Sequence, residues 1–272
     1  MASEKLRPLA EFPRAGLAAV KAVLLDIDDT LSTDGHLTAA AYGALERLKQ
    51  AGLLVVPITG RPAGWCDMIA RFWPIDAVVG ENGAFYFWHD ARAGRLRQRF
   101  LQSEAEREAG RRKLEALRVR ILREVPGAGI ASDQPYRVAD LAIDFCEDVK
   151  PLPREAVDRI VALFGEAGAT AKISSIHVNG WFGAYDKLSM TRLALRELFA
   201  VDIDDPANRE TIVFAGDSPN DAPMFDFFPN AVGVANVRDF GDLVKTLPRW
   251  VTEKRSGEGF VELASALLAA RS

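Results

Sequence analysis

Cysteine is scarce in this chain of 272 residues: Cys66 and Cys146 are the only two, far apart and without a metal-ligand pattern beside them. That excludes a disulfide framework and reads as two reduced thiols in a reducing compartment. Long apolar runs are missing as well. None approaches the roughly 20 residues needed to span a bilayer, so no membrane partner is expected. A strong charge of one sign is also lacking. The formal charge is −4, which gives neither nucleic acid nor an anionic membrane an electrostatic reason to bind. The same balance mildly opposes a phosphorylated substrate, which a bound metal and a local lysine would have to overcome. From Met1 to Arg14 charges and prolines stand where a signal peptide needs an apolar stretch. This segment is expected to be a loose leader on a cytoplasmic protein.

What is there begins with Val20-Lys-Ala-Val-Leu-Leu-Asp-Ile-Asp-Asp-Thr30. A short apolar run that stops abruptly at polar residues is the pattern of a strand buried on both faces of a parallel sheet. Ligands of open α/β sheets bind just outside the carboxyl ends of such strands. Two carboxylates ~4 Å apart repel by roughly 4 kcal/mol at an effective dielectric near 20. Asp26, Asp28 and Asp29 crowded together therefore favour a shared cation, and Mg²⁺, a hard ion with oxygen ligands, is the natural candidate. A turn or helix cap is the plainer alternative for the cluster alone.

The pattern of a buried strand ending in polar residues recurs. Spacing predicts a helix over 39–50, with Ala40, Leu45 and Leu48 sharing a face and Gly52 stopping it. A strand over 53–58 follows and ends at Thr59-Gly60. With Pro62 in the first turn of the next helix, Thr59 and Gly60 would lie at a helix N-terminus, a ready anion site. A third strand, 75–79, ends at Gly80-Glu-Asn-Gly83, where Asn82-Gly83 signals a turn. A hairpin around Ala93-Gly94 comes next. Strand–helix alternation stops there, which puts a module boundary close to Gly83.

Ser103 and Glu106 form a capping box for a helix to about Glu124, with Leu114, Leu117, Ile121 and Val125 buried. A strand over 138–145, a helix over 153–166 and a strand over 171–178 complete an α+β insertion of about 100 residues, enough for its own core. Asn179-Gly180 is expected to be a second turn. Asp186 then caps a helix that buries Leu188, Leu195 and Leu198 and carries Lys187 in its first turn. A lysine there opposes the helix dipole, as one kept for a bound anion would. The strand Thr211–Gly216 ends in Asp217-Ser-Pro-Asn-Asp221. Ser218 and Pro219 start a helix that would bring Asp221 round to Asp217. A strand over 231–235 and an amphipathic helix over 258–270 close the chain.

Asp26-Ile-Asp-Asp-Thr30, Thr59-Gly60, Lys187 and Gly216-Asp-Ser-Pro-Asn-Asp221 resemble, in order and spacing, the four motifs of the haloacid dehalogenase-like phosphohydrolases. The insertion between the second and third motifs, Asn82-Gly-Ala before it and the turn-then-lysine after it resemble subclass IIB, the Cof-type and sugar-phosphatase branch. The resemblance implies an α/β fold: a Rossmann-like parallel-sheet core, residues 1–83 and 184–272, with an inserted α+β cap, residues 84–183.

It also implies roles. Asp26 would be the nucleophile of an aspartyl-phosphate mechanism and Asp28 the general acid and base. Mg²⁺ would be held by Asp26, the Asp28 carbonyl, Asp217 and Asp221. Thr59, Gly60, Lys187 and Asn220 would bind the phosphoryl group. Asp29 stands where many members have glycine, and its side chain is expected to point away from its neighbours if strand geometry persists. The cap would choose the substrate, with Asn82, Ser174, Ser175, His177 and Asn179 as candidate contacts. A structural role is the alternative for each.

The implied activity is Mg²⁺-dependent hydrolysis of a small phosphorylated metabolite, such as a sugar phosphate. A phosphomutase would share the aspartyl-phosphate. The string Gly216–Asp221 is similar to that of mannosyl-3-phosphoglycerate phosphatases. A phospho-accepting signalling domain also gathers aspartates and a lysine round Mg²⁺, but it predicts one compact module without the insertion. Nothing in the sequence fixes the ester or the oligomeric state.

Overall fold

The computed structural model describes residues 6–174, 176–243 and 246–271. Six parallel strands form the central sheet, in the spatial order Arg7–Pro8, Trp250–Val251, Ala231–Gly233, Ile212–Gly216, Ala22–Leu25 and Leu54–Pro57. Ala22–Leu25 and Ile212–Gly216, mid-sheet, are buried along their whole length, as their unbroken apolar sequences require. One face is filled by Leu45, Leu48, Phe260, Leu263 and their neighbours. Met190, Leu195, Phe214 and Phe228 belong to the cluster on the other.

Register decides what happens at the sheet's edge. Leu25 pairs with both Ala215 and Pro57, so three chain segments leave the sheet at one level. Asp26, Thr59 and Asp217 therefore emerge side by side.

Helix Ala39–Gln50 has the expected bounds, but it buries Ala41, Ala44, Leu45 and Leu48 and leaves Ala40 exposed. The stripe includes i, i+3, i+4 and i+7, and Ala40 falls outside it. The N-terminal segment is not a loose leader where it is described. Arg7–Pro8 adds an edge strand to Trp250–Val251, and the buried Phe12 stacks on Trp250 with centroids 4.7 Å apart. The charges and prolines that argue against a signal peptide do not prevent this, because the two aromatic rings supply the anchor. Met1–Lys5 lie outside the described residues.

The hairpin Phe85–Asp90 and Arg95–Phe100 turns at Gly94, as expected, and pairs with Val78–Gly80. Val79 is bridged in parallel to Ile58. Beyond it the insertion builds a four-stranded antiparallel sheet, ordered Gly129–Ile130, Asp140–Asp144, His177–Trp181, Thr170–Ile173. Helices Glu104–Glu124 and Arg154–Glu166 cover one face of it. The two-residue period of a strand puts Leu141, Ile143 and Val178 against those helices, and turns Asp140, Asp144, His177 and Asn179 toward the core.

Two expectations fail here. The strand predicted over 171–178 is two antiparallel strands, Thr170–Ile173 and His177–Trp181, and Asn179-Gly180 lies inside the second one. The reason is tertiary. A Cβ on Gly180 would sit 2.1 Å from the Phe164 ring, so glycine serves close packing of helix on sheet rather than a turn. No helix among the described residues is long and apolar enough to cross a membrane.

Candidate active site

Asp26 follows the strand Ala22–Leu25, and its N–H donates to the Ala215 carbonyl at 2.9 Å. The strand does not continue through the acidic cluster, because residues 28–30 form a turn with Asp29 at φ +53°. This corrects the expectation that Asp29 points away as a strand residue would. Left-handed backbone is where glycine is cheapest and where aspartate is among the better-tolerated alternatives. The Asp29 carboxylate is close enough to help raise the pKa of Asp217.

Lys187 opens helix Lys187–Phe199, capped by Asp186 in a capping box with Ser189. The Asn82-Gly83 turn abuts that cap. Gly83 has φ +108°, and a Cβ there would lie 2.0 Å from the Asp186 carbonyl oxygen. The lysine is thereby driven into the sheet edge. Its buried Nζ donates to Asp26 Oδ1 at 2.7 Å and to Asp221 Oδ1 at 2.7 Å, with Asn220 Oδ1 at 3.4 Å. Burial opposes the lysine's charge, but Asp221 and Asp26 outweigh it and its pKa rises.

Asp221 folds back on its own turn, where Oδ2 accepts the Asp217 N–H at 3.1 Å. Asp217 accepts from Thr30 Oγ1 at 3.1 Å and from Asn236 Nδ2 at 3.1 Å.

Asp26, Asp217 and Asp221 are buried and each offers an oxygen within 4.8 Å of the others. Burial pushes Asp26 up to about 8; Lys187 pulls it down, and Asp221 and Asp28 add repulsion. Asp217 is raised well above the usual range by burial, then by Asp221, Asp26 and Asp29. One lysine does not balance so many carboxylates. An all-oxygen trio under mutual repulsion suits a hard divalent cation, so these residues fit a metal site.

Thr59 is fully buried and its Oγ1 accepts the Arg61 N–H at 3.0 Å, while the buried Asn82 side chain packs behind Gly60. The helix Ala63–Phe72 begins one residue later than expected, with Pro62 as its N-cap. Its end is already occupied by a carboxyl group of this chain: Glu81 Oε1 accepts the Ala63 N–H at 3.0 Å. The same carboxylate accepts backbone N–H groups of Val138, Ala139 and Asp140. Glu81 is thus a buried strut between the two parts of the molecule, and burial raises its pKa to about 8.

A cavity of about 20 Å³ lies between core and insertion. Asp26, Asp28, Gly60, Ser218 and Asn220 line it from the core, and Ser174, Ile176, His177 and Asn179 from the insertion. His177 Nε2 lies 2.8 Å from Glu147 Oε2, and Asn179 Nδ2 donates to Asp140 Oδ2 at 3.1 Å. Ser175 lies outside the described residues.

Sequence reading missed Arg61, Glu81, Arg137, Glu147 and Asn236. Arg61 and Glu81 flank motifs already singled out, and that proximity was the available signal. Arg137 donates to the Gly60 carbonyl at 2.8 Å from far along the chain, and nothing local marks it or Glu147.

Residues 23–109 match the haloacid dehalogenase-like hydrolase family. No curated protein is matched significantly. Among solved structures, one from Thermoplasma acidophilum superposes with a TM-score of 0.68 at 21% identity, covering 92% of this chain and 98% of its own. A HAD/COF-like hydrolase from Plasmodium vivax gives 0.65 at 16% identity, over 94% and 99%. The sucrose-phosphatase of Synechocystis sp. PCC6803, solved with sucrose and phosphate, gives 0.62 at 15%, over 90% and 97%. Residues 23–109 are thus similar to the haloacid dehalogenase-like hydrolases, and the whole chain shares the fold of these structures, a parallel-sheet core with a separate antiparallel insertion, with the acidic trio and Lys187 at the sheet's edge.

Proposed function

We propose that the protein is a Mg²⁺-dependent phosphomonoesterase acting on a small phosphorylated metabolite, with a sugar phosphate as the favoured class. The observation that carries the reading is the meeting of Asp26, Lys187, Asp217 and Asp221, drawn from three distant segments, in one buried cluster.

An Asp26 carboxylate oxygen attacks phosphorus. The bond from phosphorus to the ester oxygen breaks, and its electron pair leaves with that oxygen, which takes a proton from Asp28. Asp28 then removes a proton from water as the water oxygen attacks the aspartyl-phosphate, releasing phosphate and restoring Asp26. Thr59, the Gly60 N–H, Lys187 and Asn220 hold the phosphoryl oxygens as their charge changes. Asp26, the Asp28 carbonyl, Asp217 and Asp221 would hold Mg²⁺, which when bound supplies charge neutralisation between anionic ester and anionic nucleophile.

The cap in this reading is the insertion 84–183. Its hairpin is the base, tied by strand pairing to Val78–Gly80, and the part beyond Ser103 is what moves. A 20 Å³ cavity admits about one water, so an ester enters only when that part lifts, and closure then excludes solvent. The uncharged polar groups of Ser174 and Asn179, with His177, suit a hydroxyl-rich leaving group. The fold shared with a sucrose-phosphatase supports a sugar phosphate as substrate.

Phosphate release should be screened over sugar phosphates, nucleotides and phosphorylated cofactors, with and without Mg²⁺. Asp26→Asn should fold normally and lose turnover by about 10⁴-fold or more. Turnover of that variant at the parent's rate would remove Asp26 as nucleophile.

A further inference from the structure

Asp28 lies in the turn after the first strand, half-buried, on the rim of the cavity. Its carboxylate is held by Arg61. Nε donates at 2.9 and 3.0 Å to the two oxygens, and Nη2 lies 2.8 Å from Oδ1. Arg61 is itself buried, and its guanidinium lies over the Trp65 ring at 4.4 Å. Its remaining ion pairs cross to the insertion: Nη1 is 3.4 Å from Asp133 Oδ2, and Nη2 is 3.4 Å from Glu147 Oε1. Glu147 is steadied in turn by His177, and Asp133 by Arg137, whose Nε donates to it at 2.9 Å.

These contacts have a mechanical consequence. A guanidinium is a planar fork whose donors are fixed relative to one another, so partners on one side fix what is presented on the other. With the cap down, Asp133 and Glu147 clamp the outer nitrogens while Nε and Nη2 face Asp28. With the cap lifted, both clamps leave, and Arg61 and Asp28 are free to swing together. General acids contribute ~10²–10⁴-fold, and only when within hydrogen-bond reach of the atom they protonate.

We propose that Arg61 is a positioning residue that aims Asp28 at the leaving oxygen when the cap has closed, with Asp133 and Glu147 as the cap's half of the device. Leaving-group protonation is thereby tied to closure, and an open site holds its proton donor unaimed. This rests on the phosphomonoesterase reading, in which Asp28 is the general acid.

The test compares kcat/KM for two kinds of ester. One is p-nitrophenyl phosphate, whose leaving group needs little protonation. The other is whichever of glucose 6-phosphate and glycerol 3-phosphate the parent hydrolyses faster. Arg61→Lys keeps the charge but loses the fork. It should lower the alkyl value by about 100-fold or more and the aryl value by no more than about fivefold. Glu147→Gln, altered on the cap alone, should show the same asymmetry at about tenfold and twofold, and it answers the question even if Arg61→Lys does not fold. In an Asp28→Asn background, Arg61→Lys should change the alkyl value by less than about threefold, because the two act as one unit.

Equal losses for both esters, or losses that multiply in the double variant, would overturn the proposal and leave Arg61 as a direct substrate contact or a structural ion pair. Failure of the underlying reading looks different: the parent releases phosphate from none of the esters, or Asp26→Asn retains its rate.

Discussion

Gly216 shows how a single residue can be dictated by the site rather than by the backbone. A Cβ on it would meet Asp221 Oδ2 at 2.5 Å and the Phe214 ring at 2.9 Å. Asp221 needs that space, because it turns back over residues 216–218 to accept the Asp217 N–H while offering its other oxygen to Lys187. Gly216→Ala should therefore cost about 1–3 kcal/mol in urea unfolding, as overpacking does. It should also lower phosphate release by about 100-fold, because Asp221 must move off Lys187. An alanine variant with unchanged turnover would show that Asp221 has slack in its position. Asp29 is the opposite case, where the backbone at φ +53° sets the requirement and aspartate meets it less cheaply than glycine would.

Among the elements, the N-terminal segment is the one whose weight composition conceals. Leu9 and Phe12 are buried, and Phe12 lies between Trp250 and Gly16, where a side chain would meet its ring at 2.8 Å. Trp250 in turn carries the strand that Arg7–Pro8 extends. Phe12→Ala should lower the stability of the folded chain by about 3–5 kcal/mol, the cost of emptying a buried aromatic site. Chemical denaturation would read this directly, and a cost under 1 kcal/mol would mean the segment is an accessory. The helix Ala63–Phe72 shows a second kind of element-level control. Its N-terminus is an anion site by geometry, but the chain's own Glu81 occupies it and ties it to the backbone of Val138, Ala139 and Asp140 in the insertion.

Across the whole molecule, the buried carboxyls set the response to pH. Asp26 and Glu81 are both pushed up to about 8, above their ordinary values near 4, chiefly by burial. A carboxyl with a higher pKa in the folded chain than in the unfolded one binds its proton more tightly when folded. Its contribution favours folding below about pH 4 and is progressively lost as pH rises toward 8. Chelator-treated protein should accordingly melt at a lower temperature at pH 8.5 than at pH 6. Adding Mg²⁺ should narrow the gap, because a cation at Asp26 favours the ionised form there and binds only the folded state. A melting temperature that climbs between those two pH values without metal would contradict the sign argued for these groups.

Local patterns along the chain were enough to specify the parallel core, the order of its motifs and the identity of the acidic and lysine residues that meet. Each is a local pattern: an unbroken apolar run of strand length, a carboxylate or threonine just past its end, a cap and proline opening a helix. Register then had little freedom, because slipping a strand by one residue would turn its side chains over. The remaining features come from long-range packing. Asn179-Gly180 has the composition of a turn and sits in a strand because Phe164 presses on it. Arg61 is in sequence no more than the residue after Thr59-Gly60, yet it joins Asp28 to Asp133 and Glu147, which lie 72 and 86 positions further along. Such pairings depend on where the inserted sheet settles on the core, a matter of packing between distant surfaces that no local window of sequence contains.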